Sequence, residues 1–186
     1  MFALSIWYLL ENDKKFVHKF TNFFIIIYIL VLFDGYFQFI FGQDIIGNKY
    51  EGDRLSGIFA EEKILGSYLA RLIPILFALV ALVYQNSKKH VYLMMIILIC
   101  SDILIYLSGE RTSFFYLIIA SVIIIFFSSN WKIIRSVTLI FSLILVIIIS
   151  FTHSYTKQRM INLTIKQTNI LGDKIKLFST QHQVVY

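Results

Sequence analysis

Long apolar runs alternate with short polar ones along most of the chain. Five of them, at 20–43, 64–87, 90–109, 112–131 and 136–156, are long enough to cross a bilayer. About 20 apolar residues in helical form span roughly 30 Å of hydrocarbon. The spacing therefore predicts five membrane-crossing helices. Residues 1–10 are apolar but too short to span, and they read as the end of a further helix. The expected fold is all-α: a polytopic transmembrane helix bundle over 1–156, followed by a loop or tail over 157–186.

Charge assigns the two faces. The polar segments before the first run, between the second and third, and between the fourth and fifth hold Lys14, Lys15, Lys19, Lys88, Lys89, Lys132 and Arg135. The alternate connections, at 44–63 and 108–113, hold Lys49, Arg54, Lys63 and Arg111 together with six acids. Cytoplasmic loops carry the excess of Lys and Arg. The 44–63 and 108–113 loops are thus expected outside, and the 157–186 tail with them. The five basic residues of that tail run against the rule.

Composition agrees with a membrane protein. Charged residues make up 15% of the chain and hydrophobic ones 58%, whereas a soluble domain carries about 25% charge. The net charge of +6 is spent on loops between apolar runs, so it points to orientation in lipid and not to nucleic acid. The one cysteine, Cys100, lies inside an apolar run and reads as a small packing residue.

Five charges and four histidines are the candidates for chemistry. Asp34 and Arg71 each lie about two helical turns in from the outer end of their runs. A charge within a span signals pairing or function, and a structural Asp34–Arg71 salt bridge is the expectation here. Asp102 lies at a similar depth below Arg111 and is expected to orient the 108–113 hairpin. Arg54 stands in a glycine-punctuated loop, with Gly47, Gly52 and Gly57 able to make tight turns. As an isolated residue it also fits an interfacial arginine whose head meets lipid phosphate. Arg111 sits in a very short connection, where a local surface pair with Glu110 is the plain reading. Two guanidinium groups on one face suit a diphosphate, since each offers a planar fork of donors. His18, His90, His153 and His182 show no metal-ligand spacing. No nucleophile elbow, phosphate loop or dinucleotide fingerprint occurs, and no cofactor is expected. Asn162-Leu163-Thr164 matches the short glycosylation pattern.

Three stretches carry a family likeness: DGYFQFIFGQDIIG at 34–47, RLSGIFAEEKILGSYLARLIP at 54–74, and SGERTSF at 108–114. With their order and spacing they resemble the O-antigen ligase and polymerase family of bacterial membrane glycan enzymes. The resemblance implies a multi-pass enzyme of the bacterial inner membrane. Such an enzyme transfers a glycan from a polyprenyl diphosphate carrier to a lipid or glycan acceptor at the periplasmic face, in lipopolysaccharide or related polysaccharide biosynthesis. It also implies that Arg54 and Arg111 bind the carrier's diphosphate. The family has about twice as many spans, and its ligases carry a His-Asn pair in a long periplasmic loop. No such pair occurs here. On this reading the chain is an incomplete slice, inactive by itself, with His182 as a base by default. A transporter or flippase fragment, with Asp34, Arg71 and Asp102 lining a path, and a non-catalytic membrane scaffold are the alternative classes.

Overall fold

The computed structural model describes residues 14–50, 54–60, 62–84, 87–128 and 131–152. They form five helices: α1 (Lys14–Phe41), α2 (Leu65–Val83), α3 (Lys88–Leu107), α4 (Arg111–Phe127) and α5 (Lys132–Thr152), with a 3-10 turn at Gly57–Phe59. The expected all-α bundle is thus found, and each predicted span corresponds to one helix. The N-terminal segment 1–10 and the 157–186 tail lie outside the described residues. Contacts divide the chain into Met1–Val146 and Ile147–Tyr186; the described part of the second unit is the final turns of α5.

Four helical segments, Lys15–Phe41, Leu65–Val83, Lys88–Leu107 and Lys132–Phe151, are long and apolar enough to cross a membrane. α4 is apolar as well but only 17 residues long, the short end of what spans a bilayer. The chain is a multi-pass membrane protein. Its helices expose hydrophobic side chains that water would reject. On α1 the exposed stripe is Phe23, Ile26, Leu30 and Phe33, opposite buried Ile25, Tyr28, Val31 and Leu32. Apolar residues on both faces are the mark of a helix with one side on protein and the other on lipid.

α2 is the central element and packs against α1, α3 and α4. Its buried residues Leu65, Leu69, Ile73, Leu76 and Val80 recur every three or four positions, forming one continuous inward stripe. The helix runs through Pro74 without interruption.

The polar groups inside the bundle are tied across helices. Arg135 is 0% exposed. Its Nη1 and Nη2 donate to the two oxygens of Asp102, each at 3.0 Å. Its Nε donates to Ser121 Oγ at 3.1 Å. Ser142 Oγ donates to Asp102 Oδ2 at 2.8 Å. One fork-to-fork ion pair and two serines thus join α3, α4 and α5. Nearby, the Tyr28 hydroxyl of α1 donates to Ser101 Oγ of α3 at 3.0 Å.

Two expectations are corrected by this network. Arg135 is not a loop charge, because α5 begins at Lys132 and carries Arg135 into the bundle. A span boundary drawn at the charge fails where an internal carboxylate neutralises it. Asp102 does not orient the 108–113 hairpin, because both its oxygens are taken by Arg135 and Ser142.

Candidate functional site

The two arginine-bearing connections meet at one end of the bundle, where α1 ends and α2 begins. The 108–110 connection is short because Gly109 adopts a φ of +72°. That left-handed geometry ends α3, and the next residue, Glu110, already caps α4. Arg111 is then the first residue of α4 and is half-buried.

Glu110 is 7% exposed, and its carboxylate reaches across to α2. Gly66 N–H donates to Oε1 at 3.0 Å and Ser67 N–H to Oε2 at 3.0 Å. The Ser67 hydroxyl donates to Oε2 as well, and Ser113 Oγ does so at 2.7 Å. The N-cap of α2 is Ile64, which has no polar side chain to offer. A helix N-terminus leaves its first N–H groups without partners and carries partial positive charge. Glu110 satisfies both needs from another helix. The expectation of a merely local, solvent-screened Glu110–Arg111 pair is corrected accordingly: Glu110 is buried and committed to α2.

Glu110→Ala is expected to leave the Gly66 and Ser67 N–H groups without that acceptor. An unsatisfied buried donor costs about 1–3 kcal/mol. Thermal unfolding of the detergent-purified protein should show that loss, while Glu62→Ala, on an exposed residue of the neighbouring loop, should unfold like wild type. Equal stability of Glu110→Ala and wild type would contradict the capping role.

The 42–64 connection is anchored to α1 by two side chains one turn apart. Gln38 Oε1 accepts the N–H of Ser56 at 2.9 Å and of Gly57 at 2.8 Å, and its Nε2 donates to Ser56 Oγ. Asp34 Oδ1 accepts the N–H of Ile45 at 3.0 Å. Asp44 closes the tight turn between them by accepting from Gly47 and Asn48. The expected Asp34–Arg71 salt bridge is not formed: Asp34 turns to the loop main chain and Arg71 is exposed. What sequence spacing could not supply is that the loop folds back and brings its own N–H groups as partners.

Arg54 is exposed, and the residue after it, Leu55, is 0% exposed. Its backbone is therefore held by a buried neighbour on one side while its head remains accessible. Arg111 likewise follows an anchored residue, Glu110. The structure sets both arginines at the α1/α2 end and places no direct bond between them. His182, His153 and Asn162 lie outside the described residues. His18 and His90 lie at the opposite end, on either side of Tyr84: His90 stacks on the Tyr84 ring at 3.6 Å and His18 meets it edge-on.

No family model, curated protein or solved structure matches the chain.

Among the described residues, no group of three His, Cys, Asp or Glu side chains is placed to hold a metal ion. The groups missed from sequence are Gln38, Glu110 and Arg135, each acting on a distant partner. The available signals were a glutamine one turn beyond Asp34, an apolar N-cap on α2, and an internal aspartate with no basic residue within its own helix turn.

Proposed function

We propose that the protein is a membrane glycan transferase of the O-antigen ligase or polymerase type. It takes a polyprenyl-diphosphate-linked glycan and passes it to a lipid or glycan acceptor at the outer face of the bacterial inner membrane. The observation that carries this reading is the pair of arginines on separately anchored turns at one end of the bundle. Arg111 opens α4, where the helix dipole disfavours a cation and favours an anion. Helix stability therefore does not account for an arginine there, whereas an arriving phosphate would meet both its guanidinium and the helix N–H groups.

In the reaction an acceptor hydroxyl attacks the anomeric carbon. The bond to the diphosphate breaks, and its electron pair leaves with the polyprenyl diphosphate. Negative charge grows on that leaving group, and fixed arginine forks stabilise it where it develops.

Retention of the carrier tests the binding step. The purified protein should retain polyprenyl diphosphate in preference to the corresponding polyprenol, and inorganic diphosphate should compete. Equal retention of the two lipids, with no competition, would remove the clamp.

Sidedness is tested separately. Lys49 and Lys88 are exposed and lie at opposite ends of the bundle. In a Cys100→Ala background, Lys49→Cys should react with a membrane-impermeant thiol reagent in spheroplasts, and Lys88→Cys only after lysis. Labelling of Lys88→Cys alone in intact spheroplasts would invert the orientation and put the arginines on the wrong side for the reaction.

A further inference from the structure

We infer that Asp34 is the general base that takes the proton of the acceptor hydroxyl, an assignment that rests on the glycan-transfer reading above. Five carboxylates stand among the described residues. Asp102 has both oxygens filled by Arg135 and Ser142. Both oxygens of Glu110 are engaged with Gly66, Ser67 and Ser113. Asp44 is taken up by Gly47 and Asn48, and Glu62 is exposed on the loop. Asp34 differs from all of these. It is 1% exposed, its Oδ1 is fixed by the Ile45 N–H, and its Oδ2 is buried with no hydrogen-bond partner. Buried polar oxygens are nearly always paired, so an orphan one calls for an explanation.

The surroundings of Oδ2 supply it. Gly57 lies directly over the oxygen: a Cβ at that position would be 2.8 Å from Oδ2. Gly57 has a φ of +54° and Ala60, three residues on, a φ of +53°. Positive φ is uncommon for a residue with a side chain, and such strain gathers at ligand clamps and switch regions. The turn covering Asp34 is also the turn that carries Arg54. Release of Gln38's grip on Ser56 and Gly57 would uncover Oδ2 while Ile45 keeps Oδ1 in place. One turn would then present an acceptor oxygen and, three residues before Gly57, a guanidinium.

The step balances within the reaction already described. Asp34 Oδ2 takes the hydroxyl proton as the hydroxyl oxygen bonds to the anomeric carbon. The carbon–oxygen bond to the diphosphate breaks, and its electron pair departs with the carrier near Arg54 and Arg111. No further reactant is needed. A positioned base contributes about 10²–10⁴-fold.

Asp34→Asn is the decisive variant, because its amide oxygen still accepts from Ile45 but cannot take a proton. It should be assayed in native membranes, from its own locus, with a polyprenyl-diphosphate-linked glycan donor. Transfer should fall at least a hundredfold while carrier retention and protein level stay at wild-type values. Transfer by Asp34→Asn within twofold of wild type would overturn the assignment and leave the clamp standing. So would a loss of transfer that tracks lost protein or lost carrier retention, since Asp34 would then be only a loop anchor. Absence of transfer by the whole wild-type product of the locus would instead defeat the glycan-transfer reading, and this assignment with it.

Discussion

Asp102→Leu is expected to abolish accumulation of the folded protein. The substitution leaves the Arg135 guanidinium at 0% exposure with Ser121 as its remaining partner. Removing one member of a buried ion pair costs about 3–5 kcal/mol, because the other charge stays desolvated. That is a large fraction of a typical folding stability of about 5–15 kcal/mol. The pair itself need not be net stabilising. An apolar pair of similar volume often does as well or better, so Asp102→Leu combined with Arg135→Leu should recover much of the lost stability. Detergent-solubilised protein read by size-exclusion and thermal unfolding distinguishes the cases. A single variant as stable as wild type, or a double variant no better than either single one, would contradict the account.

The helices were legible in sequence because the bilayer leaves few choices. A long apolar run must satisfy its backbone internally, and in a single chain segment it does so as a helix. The short α3–α4 turn was legible because few residues separate the two apolar runs it joins. Arg135 was not legible as an interior residue. Its partner Asp102 lies 33 positions away, and nothing local marks the two as a pair. Glu110 misled for the opposite reason. Its sequence neighbour is a cation, while its actual partners at Gly66 and Ser67 are 44 and 43 positions distant. Asp34 was read against the one basic residue at its depth. Its partner proved to be the backbone of Ile45, and main-chain donors leave no trace in a pattern of side chains. Arg54 and Arg111 were legible as residues at or beside the connections between apolar runs. That both stand beside anchored residues at one end of the bundle depends on contacts between segments far apart in sequence.

For those two residues the expected effect is on rate. Arg54→Ala and Arg111→Ala should each reduce glycan transfer about a hundredfold, the loss of one fixed donor to a developing oxyanion being on the order of 3 kcal/mol. The lysine variants should retain more activity than the alanines but less than wild type, since an ammonium keeps the charge and loses the bidentate fork. Folding should be little affected at Arg54, whose side chain is exposed. The control is Lys49, an exposed residue of the same loop and the same charge. If attraction of an anionic lipid were all that mattered, the two positions would be equivalent.

Transfer of glycan from a polyprenyl diphosphate donor, measured in native membranes for Arg54→Ala, Arg111→Ala and Lys49→Ala at matched protein level, is therefore the most direct test. The diphosphate clamp predicts about hundredfold losses for the two arginine variants and near-normal transfer for the lysine variant. Near-normal transfer by both arginine variants, with loss in Lys49→Ala, would contradict it and make Arg54 and Arg111 interfacial anchors.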